Sequence, residues 1–193
     1  NGIASAKAEI IKNIKPNGII ILNGDDKFFN FHKKIALKKK LKVLSFGINS
    51  KSSSTKLTKI KKLNGKFQLF INLENHQYSF YSKNNNKSNI YNILATLTLI
   101  NIYKDLNKIN KNIFLYFKLP EGRGDFFKIK LNNKKITLVD ETYNSNPLSL
   151  KTAIENFDKI EKVNSKKYLI LGDMLELGKH SIKQHKLISK VLN

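Results

Sequence analysis

The chain of 193 residues contains no cysteine. That excludes a disulfide framework and any thiolate metal site, and it fits a cytoplasmic protein. No apolar run approaches the roughly 18 residues of a membrane span, so a soluble protein is expected. Residues 3–14 are amphipathic and carry Lys and Glu, unlike the apolar core of a signal peptide. Arginine is almost missing: of 36 basic residues, 35 are Lys and one is Arg. The formal charge of +22 therefore reads as a coding bias spread over solvated faces, with abundant Asn and frequent Ile. Nucleic-acid readers use Arg for bidentate contacts, so specific nucleic-acid binding is not expected. Glycine totals 9, and no G-x-x-x-x-G-K-[ST] run occurs, so these residues contain no phosphate cradle of that type. The hydrophobic fraction of 40% can still support a core. The chain begins at Asn1 and stops at residues 191–193 inside a helical pattern, which reads as a fragment of a longer protein.

Periodicity and breakers set out the elements. Residues 3–14 read as a helix closed by Pro16-Asn17-Gly18. Residues 18–22 read as a buried parallel strand, Asn23-Gly24-Asp25-Asp26 as a turn, 27–40 as a basic helix and 41–46 as a second strand. Residues 57–63, 67–73 and 77–81 alternate as an antiparallel meander. Helices are expected over 89–104 and 109–117. The Pro and Gly density of 119–125 suggests a linker, with domains over 1–118 and 119–193. Residues 126–131 and 135–139 read as a hairpin across Asn132-Asn133. Residues 147–157 read as a helix with Pro early in its first turn, 167–171 as a parallel strand and 179–192 as the last helix.

Several residues could carry chemistry. Arg123, the sole Arg, lies in Glu121-Gly122-Arg123-Gly124, where small neighbours let a ligand approach the backbone. Its planar fork can grip a phosphate twice, although a surface Arg in a linker is the plain alternative. Asp140 and Glu141 end a strand and could bind a metal, a ribose diol or an amine, or favour a helix N-terminus through its dipole. Tyr143, Asn144 and Asn146 enter the next helix. The Asn side-chain amides could read an amide or base edge, and Asn146 could simply cap a helix starting at Pro147. Asn89 and Asn92 stand three apart and share one helix face, for binding or for capping. Asp173 and Glu176 follow an apolar run, either as ligand-binding groups or as an ordinary polar loop. His180 and His185 are five apart, which does not match a helical zinc pair. By composition alone Lys7 has no claim to function.

Two segments carry a family resemblance. Asp140-Glu141-Thr142-Tyr143-Asn144-Ser145-Asn146-Pro147 and Leu171-Gly172-Asp173-Met174-Leu175-Glu176-Leu177-Gly178, in this order, resemble the C-terminal domain of the Mur ligases. Asn89-Ile90-Tyr91-Asn92-Ile93-Leu94-Ala95 is similar to the family's His-Asn-x-x-Asn-Ala-Leu-Ala segment, with Ser88 in place of His. Ala6-Lys7-Ala8-Glu9-Ile10 is similar to its Ala-Lys-x-Glu-Ile run. The resemblance implies an α/β fold, with part of a parallel-sheet ATP-binding central domain followed by part of a Rossmann-like C-terminal domain. It implies ATP and Mg²⁺ as cofactors. It gives Arg123 the γ-phosphate and catalysis, and Glu141, in the second place of a more usual Asp-Asp pair, the ATP ribose, with Asp140 sharing it. Asn92, with Asn89, would approach adenine. Tyr143 and Asn144 would lie near the nucleotide, and Asn146, Asp173 and Glu176 near the incoming amine. Lys7, if carbamylated by CO₂, would be a catalytic metal ligand. The family's phosphate loop would lie upstream.

Among family members, the two segments favour the one that adds D-alanyl-D-alanine to UDP-N-acetylmuramoyl-tripeptide in peptidoglycan synthesis. Those two substrates would be its partners, and the protein a cytoplasmic monomer. The fragment alone is expected to be inactive. The competing readings are a folylpolyglutamate or cyanophycin synthetase type of ligase, and a basic nucleic-acid-binding module.

Overall fold

The computed structural model describes residues 2–117, 121–160 and 166–192. The chain divides into two compact units, Asn1–Phe117 and Lys118–Asn193. The boundary expected between 118 and 119 lies outside the described residues.

In the first unit, α1 (Gly2–Asn13) leads into β1 (Ile19–Asn23), α2 (Phe29–Lys38) and β2 (Lys42–Gly47). Strands β3 (Thr55–Leu63), β4 (Lys66–Leu73) and β5 (His76–Ser82) follow, then α3 (Lys87–Tyr103). The five strands form one mixed sheet in chain order. β1 and β2 pair in parallel, with Ile20 opposite Val43. β2 and β3 are also parallel, but only through Phe46–Thr55 and Gly47–Lys56. The β3–β4–β5 meander is antiparallel. Its turns place Asn64, Gly65, Glu74 and Asn75 at positive φ, the conformation that tight two-residue hairpins require.

The alternation expected of a half-buried strand is visible in β4, where Leu69, Ile71 and Leu73 are buried and face Ile90, Ile93, Leu94 and Leu97 of α3. Phe80 of β5 and Leu106 complete this core. At its edge the buried Thr98 hydroxyl bonds to Thr55 Oγ1 (2.8 Å) and to the Leu94 carbonyl (2.7 Å), so no polar atom of this pair is stranded. A smaller cluster of Ala8, Ile11, Ile20, Ala36 and Leu41 packs α1 and α2 on β1.

The helix expected over 109–117 does not form. Two 3-10 turns, Leu106–Lys108 and Ile113–Leu115, stand in this region. The side chains of Asp105 and Asn110 accept from the backbone two residues on, at 2.9 Å each, and so compete with helical bonding. The Lys111 carbonyl is also taken by the Tyr81 N–H of β5 (2.8 Å).

The second unit has the hairpin β6 (Asp125–Leu131) and β7 (Lys134–Asp140), then α4 (Pro147–Asp158) and α5 (Ser181–Ser189). Asn132 and Asn133, both at positive φ, make its turn. Asn146 caps α4 in a reciprocal capping box with Ser149, and Pro147 sits in the first turn. The last helix is shorter than 179–192, because Gly178–His180 is a 3-10 turn. The parallel strand expected at 167–171 is not formed: residues 166–175 take no strand structure, and Ile170 is 95% exposed. An apolar run of this kind suits burial on both faces, and among the described residues of this unit no layer covers it. The buried apolar residues described here are Ile154, Met174 and Ile188. Among the described residues no helix is long and apolar enough to cross a membrane.

Leu94 is fully buried at the centre of the larger core. Leu94→Ala should destabilise the chain by about 2–5 kcal/mol, the range for a cavity-forming truncation, as read from urea unfolding.

Candidate functional site

Two polar constellations stand out, one in each unit. In the first, the turn after β1 and the loop after β2 lie side by side, at the carboxyl ends of two parallel strands. Asp25 joins them. Its carboxylate accepts from the backbone N–H groups of Ile48 (2.6 Å), Asn49 (3.0 Å) and Ser50 (2.6 Å). It also accepts from the Tyr91 hydroxyl on α3 (2.9 Å). Partial burial works against the charge, but the bonds from Asn49, Ile48, Tyr91 and Ser50 outweigh it and hold the Asp25 pKa below 3.8. Tyr91 is driven the other way, to about 12, by burial and by the adjacent carboxylate. The close approach depends on glycine. A Cβ on Gly24 would meet Ser53 Oγ, and one on Gly47 would lie 2.9 Å from the same atom and 3.1 Å from Asp25 Oδ1.

The candidate nucleotide residues of α3 stand next to this hub. Neither caps the helix: its N-cap is Asn86, which makes no side-chain cap bond. Asn89 is half-buried and donates to Ser82 Oγ at the end of β5 (2.9 Å), while Asn92 is exposed. Asn89 is therefore tied to the scaffold, and Asn92 is open to a ligand. Lys7 is exposed on α1. Among the described residues no group of three His, Asp or Glu side chains could hold a metal ion, near Lys7 or elsewhere.

In the second unit the segment before β6 and the segment after β7 meet at the open end of the hairpin. Gly124 N–H donates to the Asp140 carbonyl (2.7 Å), and Tyr143 N–H to the Gly122 carbonyl (3.1 Å). Gly122 N–H donates to Asp125 Oδ2 (3.0 Å). These bonds bring the Arg123 guanidinium over the Tyr143 ring, 4.2 Å from its centroid. The Thr142 hydroxyl and N–H lower the Asp140 pKa. Glu141 is raised by desolvation and by the charges of Asp140 and Asp125. The result is one cation stacked on an aromatic face, on a segment joined by backbone bonds to the one that carries two carboxylates of opposite tendency. Asn144 is exposed on the same segment, and Asn146 spends its side chain on the cap of α4, accepting from Leu148 and Ser149 N–H.

Asp173 and Glu176 are exposed further along this unit, with Glu176 at positive φ. Between them Met174 is buried, and its N–H donates to His185 Nε2 on α5 (3.2 Å). His185 Nδ1 sits 2.9 Å from the Ser181 carbonyl, so this histidine is a clamp for the 173–176 segment. The structure thus groups Arg123, Asp140, Glu141 and Tyr143, and leaves Asp173 and Glu176 on another segment. Sequence reasoning missed Asp25, Tyr91 and Ser82, while His185, read from its spacing as structural or solvated, is structural. An Asp just after an apolar run and a Gly was the one signal available, and it reads equally well as a turn.

Residues 1–100 match the family model described as Mur ligase middle domain. The chain is 31% identical, over 99% of its length and 40% of the relative's, to a UDP-N-acetylmuramoyl-tripeptide--D-alanyl-D-alanine ligase of Buchnera aphidicola subsp. Baizongia pistaciae. In fold it is similar to a crystal structure of MurF from Acinetobacter baumannii, with a TM-score of 0.75 at 23% identity, covering 95% of this chain and 38% of that one. It is also similar to MurF ligase from Thermotoga maritima in complex with ADP, with a TM-score of 0.74 at 24% identity, covering 99% and 42%. The chain spans about 40% of the length of the curated relative it matches.

Two predictions come from this geometry. Because the Asp25 pKa is depressed, its stabilisation is present above 3.8 and is lost as pH falls through the folded-state value. Urea unfolding of the chain between pH 6 and pH 2 should show that loss, and Asp25→Asn should flatten it. Gly122 and Gly124 both hold positive φ, but a Cβ would lie 2.7 Å from the Tyr143 backbone nitrogen at Gly122 and 3.2 Å from the flexible Glu141 side chain at Gly124. Gly124→Ala should cost about 1–2 kcal/mol for the backbone alone. Gly122→Ala should cost more and should shift the Tyr143 amide resonance, while Gly124→Ala should not.

Proposed function

The chain belongs to the Mur ligase family, and we propose that the whole protein joins a carboxylate to an amine by ATP-dependent amide formation. The substrates we assign are UDP-N-acetylmuramoyl-tripeptide and D-alanyl-D-alanine, in a cytoplasmic, monomeric enzyme. The tripeptide carboxylate oxygen attacks the γ-phosphorus of ATP, the bond to ADP breaks, and an acyl phosphate forms. The amine of D-alanyl-D-alanine then attacks the acyl carbon, loses a proton, and phosphate leaves.

The observation that carries this reading is the Arg123 guanidinium stacked on Tyr143, the aromatic residue of the segment that also carries Asp140 and Glu141. Stacking removes freedom from the side chain before a ligand arrives, and the outer edge of the fork stays open to phosphate oxygens. Such preorganised charge is what phosphoryl transfer asks of a protein. In this reading Glu141, with Asp140, meets the ribose; Asn92 meets adenine; and Tyr143 and Asn144 line the nucleotide. Asn146, Asp173 and Glu176 belong to the amine side. Mg²⁺ would neutralise phosphate charge when bound. Lys7 as a carbamate would be one ligand, but no ligand set stands around it among the described residues, and no step is assigned to the metal.

The test uses the full-length enzyme with ATP, Mg²⁺ and the UDP-tripeptide, offering D-alanyl-D-alanine, single amino acids and glutamate in turn. ADP release that depends on D-alanyl-D-alanine is expected; release only with a folate and glutamate in place of the UDP-tripeptide and D-alanyl-D-alanine would point to a folylpolyglutamate synthetase type, and no ADP release with either set would refute the ligase reading. Arg123→Lys should lower kcat by roughly 100-fold or more with little change in the KM for ATP, the pattern of a group that acts on transition-state charge.

A further inference from the structure

We propose that Asp25 and Tyr91 are positioning residues for nucleotide binding, acting through Asn92 of α3; this rests on the reading of α3 as a nucleotide-binding helix. Three observations lead there. The carboxylate of Asp25 is already served by the N–H groups of Ile48, Asn49 and Ser50, at 2.6 to 3.0 Å. Its fourth bond, from the Tyr91 hydroxyl, is not needed to satisfy it, but it ties α3 to the loops at the carboxyl ends of β1 and β2. The first turn of α3 has no side-chain N-cap bond, so its place is set by two side-chain anchors, Asn89 on Ser82 Oγ and Tyr91 on Asp25.

Asn92 comes directly after the second anchor and is the exposed member of the pair. The apolar face of α3, Ile90, Ile93, Leu94 and Leu97, drives its burial. Burial of that kind is non-directional, whereas the anchors are hydrogen bonds with narrow distance and angle limits. The anchors therefore set where the Asn92 amide points. The Tyr91 ring also packs edge-on to Phe46 of β2, 6.3 Å between centroids, so Phe at position 91 can keep the packing while losing the bond.

The test is a double-mutant cycle in the full-length enzyme, read as KM and kcat for each substrate. Tyr91→Phe should raise the KM for ATP by about tenfold, the scale of a lost hydrogen bond to a charged group. Its kcat should stay within about twofold and the KM values for the UDP-tripeptide and D-alanyl-D-alanine should not move, because uniform nucleotide binding alone is lost. Asn92→Ala should do the same, and the double variant should be clearly less than additive. Should Asp25→Asn, the companion variant, fail to fold, Tyr91→Phe carries the test alone. Full additivity, an unchanged KM for ATP in Tyr91→Phe, or an equal rise in all three KM values would overturn the proposal. If wild-type enzyme turns over ATP but Asn92→Ala changes nothing, the nucleotide role of α3 fails first and takes this proposal with it.

Discussion

The Asp25 carboxylate is the interaction on which the first unit depends. Parallel strands end with unpaired backbone donors, and the loops that follow them must be held by something other than the sheet. Here one anion collects three N–H groups from the loop after β2 and a hydroxyl from α3. Two glycines without side chains let the loops close to that distance. The sheet and the α3 core would form from apolar burial alone. Their polar end would not have a defined shape.

The second unit uses a different device for the same purpose. A hairpin has two free ends, and at the open one backbone bonds from Gly124 and Tyr143 draw the flanking segments together. Positive φ at Gly122 and Gly124 makes that approach possible. Charge is then concentrated there, with Arg123 and Asp125 on one flanking segment and Asp140 and Glu141 on the other. Elsewhere the unit is thinly packed, and apolar side chains such as Phe126, Leu131 and Ile170 stay exposed. Two strands alone bury neither face.

The charge bias shapes the surface more than the fold. With 36 basic and 14 acidic residues, most lysines have no acidic partner to find. The ion pairs described, such as Lys151–Glu155 at 3.7 Å, are exposed and contribute little. Lysines also lie over aromatic rings, as Lys66 does over Tyr81 at 4.1 Å. Against that background the lone guanidinium on Tyr143 is a different chemical object, because only a planar fork can stack and chelate at once.

Elements β1 to β5, the Asn132-Asn133 hairpin and the capped α4 were legible in the sequence, since each rests on local periodicity or on turn and cap chemistry within a few residues. Arg123 was legible as the one Arg, and the resemblance supplied its neighbours. The strand expected at 167–171 and the helix expected at 109–117 were not decided locally. A strand exists only with a partner, and the 109–117 backbone found competing bonds in Asn110 and in β5. Asp25 shows the limit most clearly. Its sequence neighbours describe a turn, while its role comes from backbone 23 to 25 residues away and from a hydroxyl 66 residues away. Sequence alone determined which segments could bury a face and which could turn. Tertiary structure decided which donors each carboxylate would meet, because convergence of distant backbone groups depends on packing and leaves no local pattern.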